Sequence, residues 1–329
     1  MRRLSVSKII NLLKLYLSYW YSKWTGIPRV WGEPTTLTIE PTTACNLGCP
    51  ECPSGLKSFT RPTGNVKIET VDLVLDQLAS KLTYLNYYFQ GEPYIHKDFF
   101  RLIEKANEKG VYTCTSTNAH FINDKSAEAT IKSGLDKLII SLDGITQEVY
   151  ESYRIHGQLD KVLSGAKKII EWKKKLKSQT PLVVFQFLVV KPNEHQIEDA
   201  QLLAEEIGAD KINFKTAQIY DFENGNPLIP TLEKYSRYKK NSNGKYVIKN
   251  KLDNQCWRMW RGTVLTWDGK VIPCCFDKDA KHQMGDITAD LFKTVWRSEP
   301  YMNFRKGVLK SRASIDICKN CSEGTKVWT

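Results

Sequence analysis

Three cysteines within eight residues, Cys45, Cys49 and Cys52, constrain this chain more than any other feature. They are spaced C-x3-C-x2-C and follow directly on the β-like run Thr35, Thr36, Leu37, Thr38, Ile39, Glu40. One tight loop after a strand is enough to aim three sulfurs at one point. Thiolates are soft ligands that suit iron–sulfur clusters or zinc. A structural zinc site wants a fourth ligand close at hand, and the next cysteine is Cys114. Three protein ligands on a four-iron cluster leave one iron open to a small molecule, and an open metal position is what a catalytic site needs. Spacing alone leaves a zinc knuckle, or three unrelated buried cysteines, as the alternative.

Beyond the loop the chain alternates helical and strand patterns, the signature of βα units around a parallel sheet. Strands are expected over 35–40, 84–89, 111–116, 137–142, 182–190 and 211–215. Helices are expected over 66–81, 97–109, 124–133, 159–177 and 195–206, three of them closed by Gly110, Gly134 and Gly208. In such sheets functional residues sit at strand carboxyl ends. Strand two ends in Gln90, Gly91, Glu92, Pro93; strand three in Ser116, Thr117, Asn118, whose hydroxyl and amide groups suit a ribose or a carboxylate. Strand four ends in Ser141, Leu142, Asp143, Gly144, with Tyr153 and Arg154 following, and strand five carries Gln186, Leu188 and Val190 before Asn193. A second thiol set lies near the C-terminus: Cys256, Cys274 or Cys275, Cys318 and Cys321. Between them 263–267 and 270–274 read as a hairpin turning at Asp268, Gly269, and 289–297 as a helical stretch. Four thiolates could close an iron–sulfur or a zinc site. Cys114, in strand three, reads as a buried apolar thiol.

The three-cysteine loop resembles that of the radical S-adenosylmethionine (SAM) superfamily, and the four-cysteine tail, with its Gly269-x4-Cys274 spacing, resembles the SPASM/twitch extension of that family. The resemblance, which spans roughly residues 35–321, implies a partial (β/α)6 TIM barrel with a small C-terminal α+β auxiliary-cluster domain; the residue pattern ahead of it adds an N-terminal amphipathic helix. It implies a catalytic [4Fe–4S] cluster on Cys45, Cys49 and Cys52, SAM held at its open iron, and reductive cleavage of SAM to a 5′-deoxyadenosyl radical that abstracts a substrate hydrogen. Gly91, Glu92 and Pro93 match the turn that meets the SAM amino group, and Ser141 and Arg154 the pair that holds its carboxylate; Ser116 and Asn118 join them as cofactor-binding candidates. Two positions depart from the family pattern. Gln90 stands for a glycine, and Glu51 stands where an aromatic residue by the adenine is common. The thiol count fits the shorter twitch form, with one auxiliary [4Fe–4S] cluster on Cys256, Cys274, Cys318 and Cys321 and Cys275 as a spare. The implied chemistry is a net oxidation or modification fed by a flavodoxin- or ferredoxin-type donor. Asp268, Asp277 and His96 are acid–base candidates. The expected substrate is a polar or sugar-like metabolite; a ribosomal-peptide maturase is the alternative, and a non-catalytic electron carrier or zinc scaffold is the reading from another class.

Nine cysteines, odd in number and partly paired as C-x2-C, speak against a secreted disulfide framework and for a reducing, cytoplasmic setting. The net charge of +12 suggests an acidic partner. The lysines, though, fall on helical and loop segments without an interleaved basic and aromatic pattern, so nucleic acid is not expected. In residues 1–24, Ser7, Asn11, Lys14, Ser18 and Ser22 line one side of a helix whose remainder is largely apolar or aromatic. Lys14 interrupts the run, and the apolar stretch is shorter than the roughly 20 residues a membrane span needs. Two uses stay open. The helix could lie at the inner face of a membrane, with Arg2, Arg3, Lys8 and Lys23 near anionic headgroups, or pack on the protein itself. The expected division is 1–34 helix and linker, 35–217 barrel, 218–255 linker across the open side, and 256–329 auxiliary domain.

Overall fold

The computed structural model describes residues 5–324. Arg2, Arg3 and the last five residues lie outside the described residues. Six parallel strands, β1 (Thr36–Ile39), β2 (Tyr84–Asn86), β3 (Tyr112–Thr117), β4 (Lys137–Ser141), β5 (Leu182–Val189) and β6 (Lys211–Thr216), pair in sequence order. β6 does not pair back to β1, so the barrel is partial. The crossover helices Ile68–Leu78, Phe99–Glu108, Asp124–Lys132, Leu159–Lys175 and Ile197–Ile207 are amphipathic, and their buried faces (Val71, Leu102, Ile169 among others) join the strand interiors in one core. A further short helix, Gln147–Tyr153, precedes Arg154 and was not evident from periodicity.

Two expectations about organisation change. Residues 218–255 are not a bare linker: they carry the hairpin β7 (Tyr238–Lys240) and β8 (Tyr246–Ile248). Ile219, Ile229 and Tyr238 of this segment pack with Leu47 and Cys49, so it roofs the first thiol loop. Nor is the C-terminal part separate from the barrel sheet. β9 (Gly262–Leu265) pairs parallel to β1, and β10 (Lys270–Ile272) and β11 (Gly285–Asp286) extend one nine-stranded sheet. The β9–β10 connection turns at Gly269, φ +87°, as an Asp-Gly turn requires.

A buried ion pair locks this junction. Arg61 grips both Glu40 oxygens at 2.6 and 2.8 Å, and the Trp267 N–H donates to the same carboxylate at 3.3 Å. Glu40 is fully buried; burial pushes its carboxyl up and Arg61 pulls it back down. Glu40→Ala or Arg61→Ala should each cost about 3–5 kcal/mol, because an uncompensated charge stays behind, while Glu40→Leu with Arg61→Met should recover most of it. Denaturant unfolding checks this, and single variants that unfold like the wild type would contradict it.

Helix α1 (Val6–Thr25) docks on the protein with its polar stripe inward. Asn11 Nδ2 donates to Glu33 O at 2.7 Å and Asn11 Oδ1 accepts from Glu33 N–H at 2.8 Å. Ser22 Oγ accepts from Arg29 N–H, and Lys8 Nζ donates to Gly110 O. Tyr19 packs edge-on against Trp257 and Trp260, both at 5.3 Å. The stripe supplies partners for the irregular backbone of the 26–34 segment, which has no ladder of its own.

Candidate active site

Because β1 to β6 are parallel, their carboxyl ends share one side, and the loop of Cys45, Cys49 and Cys52 springs from the end of β1. Neighbouring turns are fitted to that loop. Gly91, at φ +74°, rests on it so closely that a Cβ would lie 2.2 Å from Thr42 O; only glycine fits. Gly91 N–H donates to Ser54 Oγ and Glu92 N–H to Ala44 O, and Pro93 opens a short 3-10 turn. The Glu92 carboxylate points into the protein, accepting from Thr117 Oγ1 and Asn118 N–H at 2.7 Å each and from Tyr94 N–H at 3.1 Å. Burial raises it to about 7 although these donors favour the ionised form. Asn118 Nδ2 reaches Asn46 Oδ1 at 2.8 Å and lies 3.9 Å from Cys45 Sγ.

On the next strand end, Asp143 is fully buried, accepts from Leu188 N–H at 2.6 Å and from Arg154 Nε at 2.5 Å. Burial works against the Arg154 charge, but the Asp143 carboxylate outweighs it and keeps the guanidinium charged. Arg154 Nη1 lies 3.6 Å from Cys49 Sγ. The Ser116 and Ser141 hydroxyls and Arg154 Nη2 make no hydrogen bond among the described residues, which leaves them available to a ligand. Asn193, by contrast, is spent on the backbone of Asp143, Leu188 and Val190.

The two departures from the family pattern gain a physical account. Gln90 Oε1 lies 3.7 Å from Cys52 Sγ, so the added side chain flanks a thiol. Glu51 accepts from Tyr220 N–H at 2.9 Å, and Lys278 Nζ donates to Glu51 O at 3.2 Å, tying the loop to the roof segment and to the C-terminal part. The roles of Glu51, Asp143 and Lys278 were not legible in sequence, since each depends on a partner at least 40 positions away or on a buried geometry with no local signature.

Cys256, Cys274, Cys318 and Cys321 line one small apolar cavity with Phe304 and Val308; Cys275 does not. Arg312 Nη2 lies 3.2 Å from Cys321 Sγ, and Arg258 Nη1 lies 3.8 Å from Cys275 Sγ. A hydrogen bond from Cys274, helped by Arg258, holds the Cys275 thiol below its ordinary range. Cys114 is fully buried in β3, apart from both sets. A larger cavity of about 600 Å³ opens between β1, β2 and β9 and is lined by Cys274 and Cys275 but by none of the first three thiols. Its wall runs from Gln90, beside Cys52, past Thr38 and Asn86 to Arg258, Cys275 and Cys274.

None of the three acid–base candidates lines that cavity. His96 Nε2 lies 2.8 Å from Val66 O and Nδ1 accepts from Asp98 N–H. Asp277 accepts from Lys281 and His282 N–H, and Asp268 from Thr266 Oγ1. All three brace turns. Short polar residues beside Gly or within loops look catalytic and structural alike until their partners are known.

Burial raises Cys45 to about 11, and Glu92, Cys49 and Cys52 add to the rise; Cys318 is pushed up to about 12, mainly by burial. Such clustered, desolvated thiols become thiolates only beside a metal cation, which deprotonates them outright. Among the described residues no three His, Cys, Asp or Glu side chains are drawn together tightly enough for a single ion. Soft thiols, three on one loop and four lining one cavity, are the donor set of an iron–sulfur cluster, and the residues fit it.

The family comparison decides the matter: the radical SAM superfamily model matches residues 39–204, and the SPASM model, an iron-sulfur cluster-binding domain, matches 256–322. The chain belongs to the radical SAM superfamily. It is 26% identical over 318 residues to the PqqA peptide cyclase of Gluconobacter oxydans, covering 90% of this chain and 84% of that one. In fold it is similar to Streptococcus suis SuiB bound to its precursor peptide SuiA (TM-score 0.64, 16% identity, 91% of this chain and 73% of that one). It is also similar to BtrN in complex with AdoMet and 2-DOIA (TM-score 0.54, 18% identity, 88% and 94%). This radical SAM enzyme therefore uses SAM, a catalytic [4Fe–4S] cluster and an auxiliary iron–sulfur cluster. The tail, expected as the twitch form, is matched by the SPASM model, and among the described residues one cavity gathers four of its thiols. With cluster and SAM bound, the site supplies a carbon radical strong enough to take a hydrogen atom from a substrate C–H bond.

The crowding of Cys274 against the other three thiols yields a test of the ligand choice. Cys274→Ala should lower bound iron from about eight to about four per chain, whereas Cys275→Ala should leave it unchanged. Iron and sulfide analysis after anaerobic reconstitution checks this, and equal losses in the two variants would contradict it.

Proposed function

We propose that this chain is a SPASM-type maturase that modifies a peptide by hydrogen abstraction, with the reacting segment in the 600 Å³ cavity that runs from Gln90, beside Cys52, to Cys274 and Cys275. The observation that carries the reading is the match to a peptide cyclase along most of both chains. It favours a peptide over the polar or sugar-like metabolite first expected. The 2-DOIA of the BtrN complex comes at 18% identity, which speaks for the fold alone.

In this reading Cys45, Cys49 and Cys52 hold the catalytic cluster and Cys256, Cys274, Cys318 and Cys321 the auxiliary one. Gly91, Glu92 and Pro93 offer backbone oxygens to the SAM amino group. Arg154, aimed by Asp143, takes the SAM carboxylate on its open Nη2, and the Ser141 hydroxyl completes that contact. Ser116 and Asn118 border the nucleoside. The threonine and asparagine side chains of the cavity wall suit peptide amides, and Arg258, Arg261 and Lys278 suit an acidic side chain of the target. A ferredoxin- or flavodoxin-type protein supplies the electron.

The reconstituted protein, with SAM, dithionite and synthetic peptides encoded by small open reading frames beside its gene, tests the reading. The expected product is a peptide two hydrogens lighter, formed with one 5′-deoxyadenosine each. Deoxyadenosine released no faster with any such peptide than without one would overturn it.

A further inference from the structure

Asn11, Ser18 and Ser22 of the polar stripe are buried against the protein, so the apolar side of α1 faces out. Val6, Ile9, Leu13, Leu17, Trp20 and Trp24 follow one another at helical spacing, Leu17 being 55% and Trp24 88% exposed. Half of the large apolar side chains exposed among the described residues lie within residues 6–31, where Ile27 and Trp31 continue the face. A patch of that extent marks a contact surface. The helix carries three lysines, Lys8, Lys14 and Lys23, and no acidic residue.

At the border of this face a recess of about 500 Å³ opens, with Ile10 and Trp31 on its rim. Lys14, Lys81, Lys293 and Arg297 line it, against the single carboxylate of Glu33. None of the four cations forms an ion pair among the described residues. Lys81 Nζ donates to Ser7 Oγ at 2.7 Å and Arg297 Nη2 to Gly32 O at 3.1 Å, while Arg297 Nη1 is buried with no partner among the described residues.

We propose that α1 seats the protein on an anionic lipid surface, its apolar side in the interface and a lipid phosphate in the basic recess. Tryptophan and lysine together fit a membrane boundary, whereas lysine is depleted from protein–protein interfaces. No helix among the described residues is long and apolar enough to cross a membrane, so the contact is peripheral.

Co-sedimentation of the full chain with phosphatidylcholine vesicles, with and without phosphatidylglycerol, tests this. The protein should bind the anionic vesicles and release in high salt. Leu13→Gln, Leu17→Gln and Trp24→Gln together should weaken binding at least about tenfold. Lys14→Glu with Lys293→Glu should weaken it about tenfold on anionic vesicles only. SAM cleavage, which none of these residues serves, should persist in both variants and shows that they fold. Equal binding by wild type and the triple variant, equal binding to neutral and anionic vesicles, or no vesicle binding would overturn the proposal. So would self-association in sedimentation velocity that the triple variant abolishes without any lipid binding, which would give the face to a second copy of the chain.

Discussion

Replacing Cys45, Cys49 and Cys52 together by alanine should abolish 5′-deoxyadenosine formation and remove about half of the bound iron, leaving the auxiliary cluster in place. The expectation rests on the separation of the two thiol sets. The first loop is held by β1, by the Gly91 turn and by the roof segment, whereas the four C-terminal thiols line their own cavity behind Arg258 and Arg312. Losing one set therefore leaves the walls of the other intact. The loop is also fastened independently of metal, through Glu51 to Tyr220 and Gly48 N–H to Ile155 O, so the variant should remain folded. Iron analysis with a SAM cleavage assay reads both parts. Residual cleavage above background, or loss of all iron, would show that the two sites are not what the geometry makes them.

Arg154→Lys should cut deoxyadenosine formation about a hundredfold, chiefly through weaker SAM binding, with the fold preserved. Arginine here does two things at once. Its Nε satisfies the buried Asp143, its Nη1 lies by Cys49, and its Nη2 makes no hydrogen bond among the described residues. Lysine can keep a charge beside Asp143 but offers one point of attachment in place of a fork. Arg154→Ala should be worse in kind, since Asp143 would keep only the Leu188 N–H, at a cost of about 3–5 kcal/mol in stability. A steady-state comparison at varied SAM, run beside thermal unfolding, separates the two effects. An unchanged KM for SAM in Arg154→Lys would remove Arg154 from the carboxylate site.

The parts of this molecule that could be read from the chain are those whose signal is local. Three thiols within eight residues announce a cluster loop, and helix and strand periods announce the βα repeat, because each is fixed by neighbours in sequence. What could not be read is set by distant partners. A narrow polar stripe on a greasy helix ordinarily marks the solvent side. Here Asn11 and Ser22 turn inward because the 26–34 backbone needs donors and acceptors, a demand the helix sequence does not display. The pairing of β9 with β1 joins residues more than 200 positions apart, and no pattern within either strand encodes it. Asp268, Asp277 and His96 looked chemical for their residue type alone; backbone groups occupy Asp277 and His96, and the Thr266 hydroxyl donates to Asp268.

The placement of β9 has a bearing on how such proteins diversify. The strand that carries the catalytic loop is flanked on one side by the barrel and on the other by the chain's last quarter, so the tail is a stave of the barrel wall rather than a cassette clipped to it. Exchanging it wholesale between relatives would re-angle the stave beside it and shift the catalytic sulfurs. New specificity should come instead by substitution along the shared wall, one residue at a time.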